Sequence, residues 1–209
     1  MCFWHTLLSV GDRLLKIVYV RDSRVKGYVT LGLASEGEKH AYTVSLAVYS
    51  SLGSPPPRAE IGAEDAAVLE REDECFRATR RALSILSYAD NSERTLTQKL
   101  LRAGFSRSAA LHAVEECLGH GYIDEKKQLL RIISTLANNR LKSERYIRAS
   151  LYGKGYRQSD ISEAIYELCE AGEVDFAAVF ERLCERLGAT DEEEKRKIAF
   201  KHGFSYKDY

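Results

Sequence analysis

Proline is nearly absent: the 209 residues hold three, all in the run Pro55-Pro56-Pro57. Consecutive prolines lack amide donors and fix φ, so this run excludes helix and central strand and marks a linker or long turn. No proline follows it, so nothing breaks a helical reading from about residue 62 to the end. Met1 is the only methionine and Trp4 the only tryptophan. Net charge is also missing, with 31 basic against 31 acidic groups. No global field therefore argues for nucleic acid or membrane, and binding of either kind must come from local patches.

Cysteine is sparse and poorly placed for chemistry. The five residues Cys2, Cys75, Cys117, Cys169 and Cys184 are odd in number and widely spaced, with no CxxC pair and no zinc-like Cys/His spacing. Free thiols in a reducing cytoplasm are the expectation. Long apolar runs are lacking. The stretch Cys2–Leu8 has no basic leader and is far too short to span a bilayer, so no membrane partner is expected. The histidines (His5, His40, His112, His120, His202) form no HExxH, and there is no P-loop, GxSxG or dinucleotide fingerprint. Cys117 and His120 stand three apart without a third partner, and Glu115-Glu116 and Asp191–Glu194 read as solvated or helix-start acids. No enzymatic activity, catalytic residue, cofactor or metal is expected.

What is present is pattern. Leu15–Val20, Gly27–Leu31 and Tyr42–Val48 are rich in β-branched and aromatic residues, the last alternating apolar and polar side chains. They predict a small antiparallel sheet of two or three strands that needs something to pack against. Trp4 is expected either to cover this sheet or to lie free of it.

The helical remainder repeats itself. Leu100-x-x-x-Gly104-Phe105 recurs 51 residues later as Leu151-x-x-x-Gly155-Tyr156, and Ser92 maps to Ser143. At an offset of 99, Gly104-Phe105 maps to Gly203-Phe204 and Ser92 to Asp191. Each repeat reads as three helices. The first carry apolar residues at i, i+3, i+4, i+7: Ala82, Ile85, Leu86, Ala89, then Leu129, Ile132, Ile133, Leu136, then Phe176, Val179, Phe180, Leu183. The second start at the N-cap residues Ser92, Ser143 and Asp191 and end at Gly104, Gly155 and Gly203. The third, through Ala110–Cys117 and Ile161–Leu168, close at Gly121 and Gly172. The first helices keep an offset of only 47, which predicts a longer loop around Asn138–Leu141. The reading is mainly α: tandem three-helix repeats in an elongated curved array, with a small β-rich N-terminal extension. Its parts are an extension and linker at 1–57, a helical lead-in at 58–77, and repeats at 78–124, 125–172 and, truncated, 173–209.

These segments resemble the RecX family of recombination regulators. The resemblance rests on Ala82–Tyr88, Ser92-Glu93 before Leu100–Phe105, Gly121-Tyr122-Ile123-Asp124, Asn139–Ser143 and Ile147 through Tyr156. It covers roughly 78–209. It implies tandem three-helix repeats and a non-enzymatic cytoplasmic protein that binds the RecA filament on single-stranded DNA. Such proteins modulate, usually downward, the filament's ATPase and strand exchange, and bind single-stranded or duplex DNA weakly. Ala89-Asp90-Asn91-Ser92 stands where the family often has Arg-x-Arg-Ser. A direct DNA-binding helical-repeat protein and a protein-binding scaffold are the alternatives.

The middle of the chain is its basic part, with 15 basic and 11 acidic groups over 79–172. Lys99, Arg102, Arg107, Lys142, Arg145, Arg148, Lys154 and Arg157 form the candidate contact surface for RecA or DNA. Arg145 and Arg148 share a helix face opposite Ile147 and Leu151. Phosphate contacts from such residues would be salt-sensitive and little concerned with base sequence. Tyr122, Tyr146, Tyr152 and Tyr156 interleave with these charges, for base stacking or, more in keeping with helical spacing, packing between repeats. No heptad seam appears, so a monomer is expected.

Overall fold

The computed structural model describes residues 15–35 and 38–205. Trp4, with the expectation attached to it, lies outside the described residues. Contacts divide the chain into two compact units: one runs to Ser84 and adds Leu100–Glu116, the other takes Ile85–Lys99 and everything from Cys117 onward.

In the first unit, β1 (Leu15–Asp22), β2 (Tyr28–Ser35) and β3 (Glu38–Ser45) form an antiparallel meander, and a two-residue strand β4 (Glu60–Ile61) pairs with β1. The strand order is β3-β2-β1-β4. Alternation carries Ile17, Val29, Leu31, Leu33 and Val44 to one face, where they are buried with Ile61 and Leu69. Leu69 belongs to α2 (Ala63–Leu86), a single 24-residue helix that supplies the partner so small a sheet needs. A second tie is electrostatic. Asp73, 7% exposed, accepts from the Thr43 amide of edge strand β3 (2.8 Å) and from Arg77 Nε (2.7 Å). The third strand ends earlier than its sequence pattern predicts: Leu46–Ser51 is the short helix α1. Ser45 turns the chain by accepting the Val48 amide at 3.2 Å, a cap that overrides the strand alternation.

The remaining helices follow the repeat: α3 (Glu93–Arg102), α4 (Arg107–Gly119), α5 (Glu125–Ser134), α6 (Glu144–Gly153), α7 (Gln158–Glu170), α8 (Phe176–Leu187) and α9 (Glu192–His202). The second helices α3, α6 and α9 begin one residue after Ser92, Ser143 and Asp191. Each cap side chain accepts a first-turn amide, from Thr95, Tyr146 and Glu194 respectively. They end at Gly104, Gly155 and Gly203, all with left-handed φ (93°, 90° and 73°). The following aromatic then turns back, its amide donating to Leu100, Leu151 and Ala199 oxygens in turn.

The four extra residues of the second repeat do not make a longer loop. They extend α5 as a π-helical turn, Thr135–Asn139, closed by Leu141 at φ 49°. The insertion is absorbed as a widened turn because Asn138 is held at both ends. Its amide donates to Glu173 O (2.9 Å), and its oxygen accepts from Arg182 (3.1 Å). In the second unit one continuous core joins Leu129, Ile133, Ile147, Leu151, Ile161, Leu168, Phe180 and Phe204. No helix among the described residues is long and apolar enough to cross a membrane.

Candidate functional site

The second helices hold the residues of interest. α6 turns Ile147 and Leu151, both fully buried, into the core, which leaves Arg145, Arg148 and Tyr152 on the outer side. With Glu144, Ala149, Gln158 and the end of α9 at Gly203–Ser205 they line an open groove of about 540 Å³. Tyr152 is 60% exposed there. Arg148 is already engaged: its Nε donates to Glu144 at 2.6 Å and its Nη1 to Ser162 Oγ at 2.7 Å. Arg145 is exposed. The groove thus presents one available guanidinium, one neutralised pair and an aromatic ring.

The other basic residues predicted from sequence differ in their freedom. Lys99 is exposed but gives its ammonium to Asn91 Oδ1 (2.5 Å), and Lys142, half-buried, lies 4.8 Å over the Tyr146 ring. Lys154 and Arg157 are exposed in the second unit, and Arg102 and Arg107 in the first. Of the eight, only Arg148 has an ion-pair partner among the described residues. The neutral and acidic residues before α3 also have work inside the fold. Asp90 pairs with Arg131, and Asn91, 5% exposed, donates to Ala89 O at 2.7 Å.

Tyr156 separates from the other tyrosines. It is 3% exposed and donates to Gln128 Oε1 at 2.8 Å, and burial pushes its phenol up to about 12. It is a packing residue. Tyr122, Tyr146 and Tyr152 are outward, at 58%, 47% and 60% exposure.

Sequence reasoning missed two apolar residues. The offsets that align the glycines also align Leu101, Tyr152 and Phe200, each on the last turn of its second helix. All three are exposed, Phe200 by 92%. Each is followed within two residues by a cation: Arg102, Lys154 and Lys201. Each leaves apolar surface in water at a repeated position instead of burying it in the core.

The described thiols are not poised for nucleophilic chemistry. Burial pushes the Cys75, Cys169 and Cys184 thiols up, away from the thiolate, and Cys117 is 1% exposed. Among the described residues no group of three His, Cys, Asp or Glu is placed to hold a metal ion.

No family model matches the chain. Its sequence is 28% identical over 152 residues to "Regulatory protein RecX" of Clostridioides difficile (strain 630), spanning 72% of this chain and 70% of that protein. Its fold matches a crystal structure of regulatory protein RecX with a TM-score of 0.67 at 22% identity, over 94% of this chain and 97% of the other. It also matches RecX from Lactobacillus salivarius with a TM-score of 0.54 at 18% identity, over 65% and 92%.

Proposed function

We propose that this chain, a RecX family protein by its likeness in sequence and fold, regulates the RecA recombinase. It binds the RecA filament on single-stranded DNA and lowers the filament's ATPase and strand-exchange activity. The carrying observation is that likeness to a RecX structure runs over nearly the whole chain, the β-rich extension included, and not over the repeats alone. The surface chemistry supports the reading. Leu101, Tyr152 and Phe200 offer apolar contacts to protein, and Arg102, Arg107, Arg145, Lys154 and Arg157 offer charge to acidic side chains or phosphates. The protein acts as a binder and not as an enzyme, in the cytoplasm where the filament forms.

The direct test is single-stranded-DNA-dependent ATP hydrolysis by the cognate RecA, with and without this protein, at salt high enough to suppress binding to bare DNA. Inhibition at substoichiometric protein supports the reading. Unchanged hydrolysis, with tight binding to bare duplex, replaces it with the direct DNA-binding alternative. Phe200→Ser and Arg145→Glu should each weaken inhibition while leaving helical content unchanged, since both side chains are exposed.

A further inference from the structure

The second helices are joined by a junction that appears twice. At the first, the Ser92 hydroxyl caps α3 and donates to the Lys154 carbonyl of α6 at 2.7 Å, with Thr95 Oγ1 donating to the same oxygen at 2.6 Å. At the second, the Ser143 hydroxyl caps α6 and donates to the His202 carbonyl of α9 at 2.8 Å. Each head is a Ser-x-Arg sequence. Arg94 and Arg145 lie beside the next helix's glycine, their Cβ and Cδ 3.2 and 3.9 Å from where a Cβ on Gly155 or Gly203 would stand. Each tail is the carbonyl before a left-handed glycine, followed by a buried aromatic: Tyr156 at 3% exposure, Phe204 at 7%. The pairing is complementary. A serine at an N-cap uses its oxygen to accept and its proton to donate, and an arginine in the first turn faces the negative end of the next helix.

The row has two ends that break the pattern in opposite ways. The tail of α3 has the same form, Ala103-Gly104-Phe105, but no head among the described residues sits on it. Nothing lies within 4 Å of where a Gly104 Cβ would stand, Gly104 is exposed where Gly155 and Gly203 are half-buried, and Phe105 is only half-buried. The head of α9 carries the opposite chemistry: Asp191-x-Glu193 replaces Ser-x-Arg, with all of Asp191–Glu194 exposed. A carboxylate has no proton to give a carbonyl, and Glu193 would face the negative end of any helix brought to it.

We propose that the tail of α3 is an open docking site for the N-terminus of a partner protein's helix with a serine or threonine cap and an arginine two residues on. Asp191 and Glu193 bar a second copy of this chain from filling it. The occupant's chemistry is that of the two heads already seated on equivalent tails, and the site stands whether or not the partner is RecA.

The test gives the chain's own free head the missing chemistry. The full chain with Asp191→Ser and Glu193→Arg is compared with the unaltered chain by sedimentation across a concentration series. Circular dichroism confirms that both are folded. The expected result is an unaltered chain of constant monomer mass and a double variant whose weight-average mass climbs with concentration. Adding Gly104→Asn, which tolerates the left-handed backbone but fills the approach, restores the monomer. A double variant that stays monomeric overturns the proposal. So does association that survives Gly104→Asn, which would put the contact elsewhere, or an unaltered chain that already associates through Gly104.

Discussion

Replacing Gly155 with alanine isolates what the close approach between α3 and α6 contributes. Gly155 has φ 90°, so any L side chain there is strained by roughly 1–2 kcal/mol. Its Cβ would also stand 2.9 Å from Ser92 Oγ and 3.2 Å from both Arg94 Cβ and Thr95 Oγ1. Ser92 is 1% exposed and cannot swing into water, so it must retreat and give up its 2.7 Å bond to Lys154 O. Losing that bond and leaving a buried polar atom poorly satisfied costs about 1–2 kcal/mol more. Gly172 is the control in the same unit: φ is 70°, and nothing lies within 4 Å of its would-be Cβ. Gly172→Ala therefore suffers the backbone strain alone. Gly203→Ala, 3.4 Å from Ser143 Oγ, falls between them. Urea denaturation at constant m-value should order the midpoints Gly172→Ala, Gly203→Ala, Gly155→Ala from highest to lowest. The outer two should differ by about 0.5–1 M for an m-value of about 2 kcal/mol/M. Equal midpoints for Gly155→Ala and Gly172→Ala would refute the crowding argument.

Other perturbations test separate parts of the structure. Tyr156→Phe should lower stability by about 1–2 kcal/mol, because Gln128, 6% exposed, loses its donor, as urea denaturation would show. The neutral phenol is favoured in the fold, so its contribution is complete below the ordinary tyrosine range near 10. It is lost as pH rises toward about 12, and ultraviolet titration should show Tyr156 ionising only with unfolding. Burial raises the Glu125 carboxyl, although its Oε1 accepts the Glu93 amide at 2.8 Å. Its charged form is therefore a burden that grows as pH rises through the raised value. Glu125→Gln, which keeps the acceptor, should leave stability at neutral pH equal or higher and flatten its fall with pH. Asp73→Ala should cost about 2–3 kcal/mol in thermal or urea unfolding, since the Thr43 amide on the sheet edge and Arg77 both lose their acceptor.

The repeat was legible in the sequence because its punctuation is local. A serine or aspartate cap closes one helix end and a C′ glycine with the aromatic after it closes the other, 12 residues on in each repeat, so spacing alone fixes where α3, α6 and α9 begin and end. What spacing does not carry is a contact between residues 59 or 62 apart. Ser92 and Ser143 read as caps, and nothing in the sequence says that their protons go to Lys154 and His202. The π-helical turn reads as a loop in the sequence because four inserted residues have the same signature either way, and the anchors on Asn138 are tertiary. The α1 turn was hidden beneath an alternating pattern that only the Ser45 cap interrupts. Among the basic residues, the Glu144–Arg148 pair could have been anticipated from its i, i+4 spacing, whereas the bond to Ser162 could not. Leu101, Tyr152 and Phe200 were available from the offsets, but an apolar residue in an amphipathic helix reads as core until its exposure is seen.

The direct test of the joined row is amide hydrogen exchange on Ser143→Asp. Aspartate caps α6 as well as serine does but has no proton for the His202 carbonyl, so the substitution cuts the link to α9 and spares α6 itself. The account predicts that exchange in Glu192–His202 quickens by about tenfold or more while the first turn of α6 stays protected. Unchanged exchange in α9, or fraying confined to α6, would contradict it.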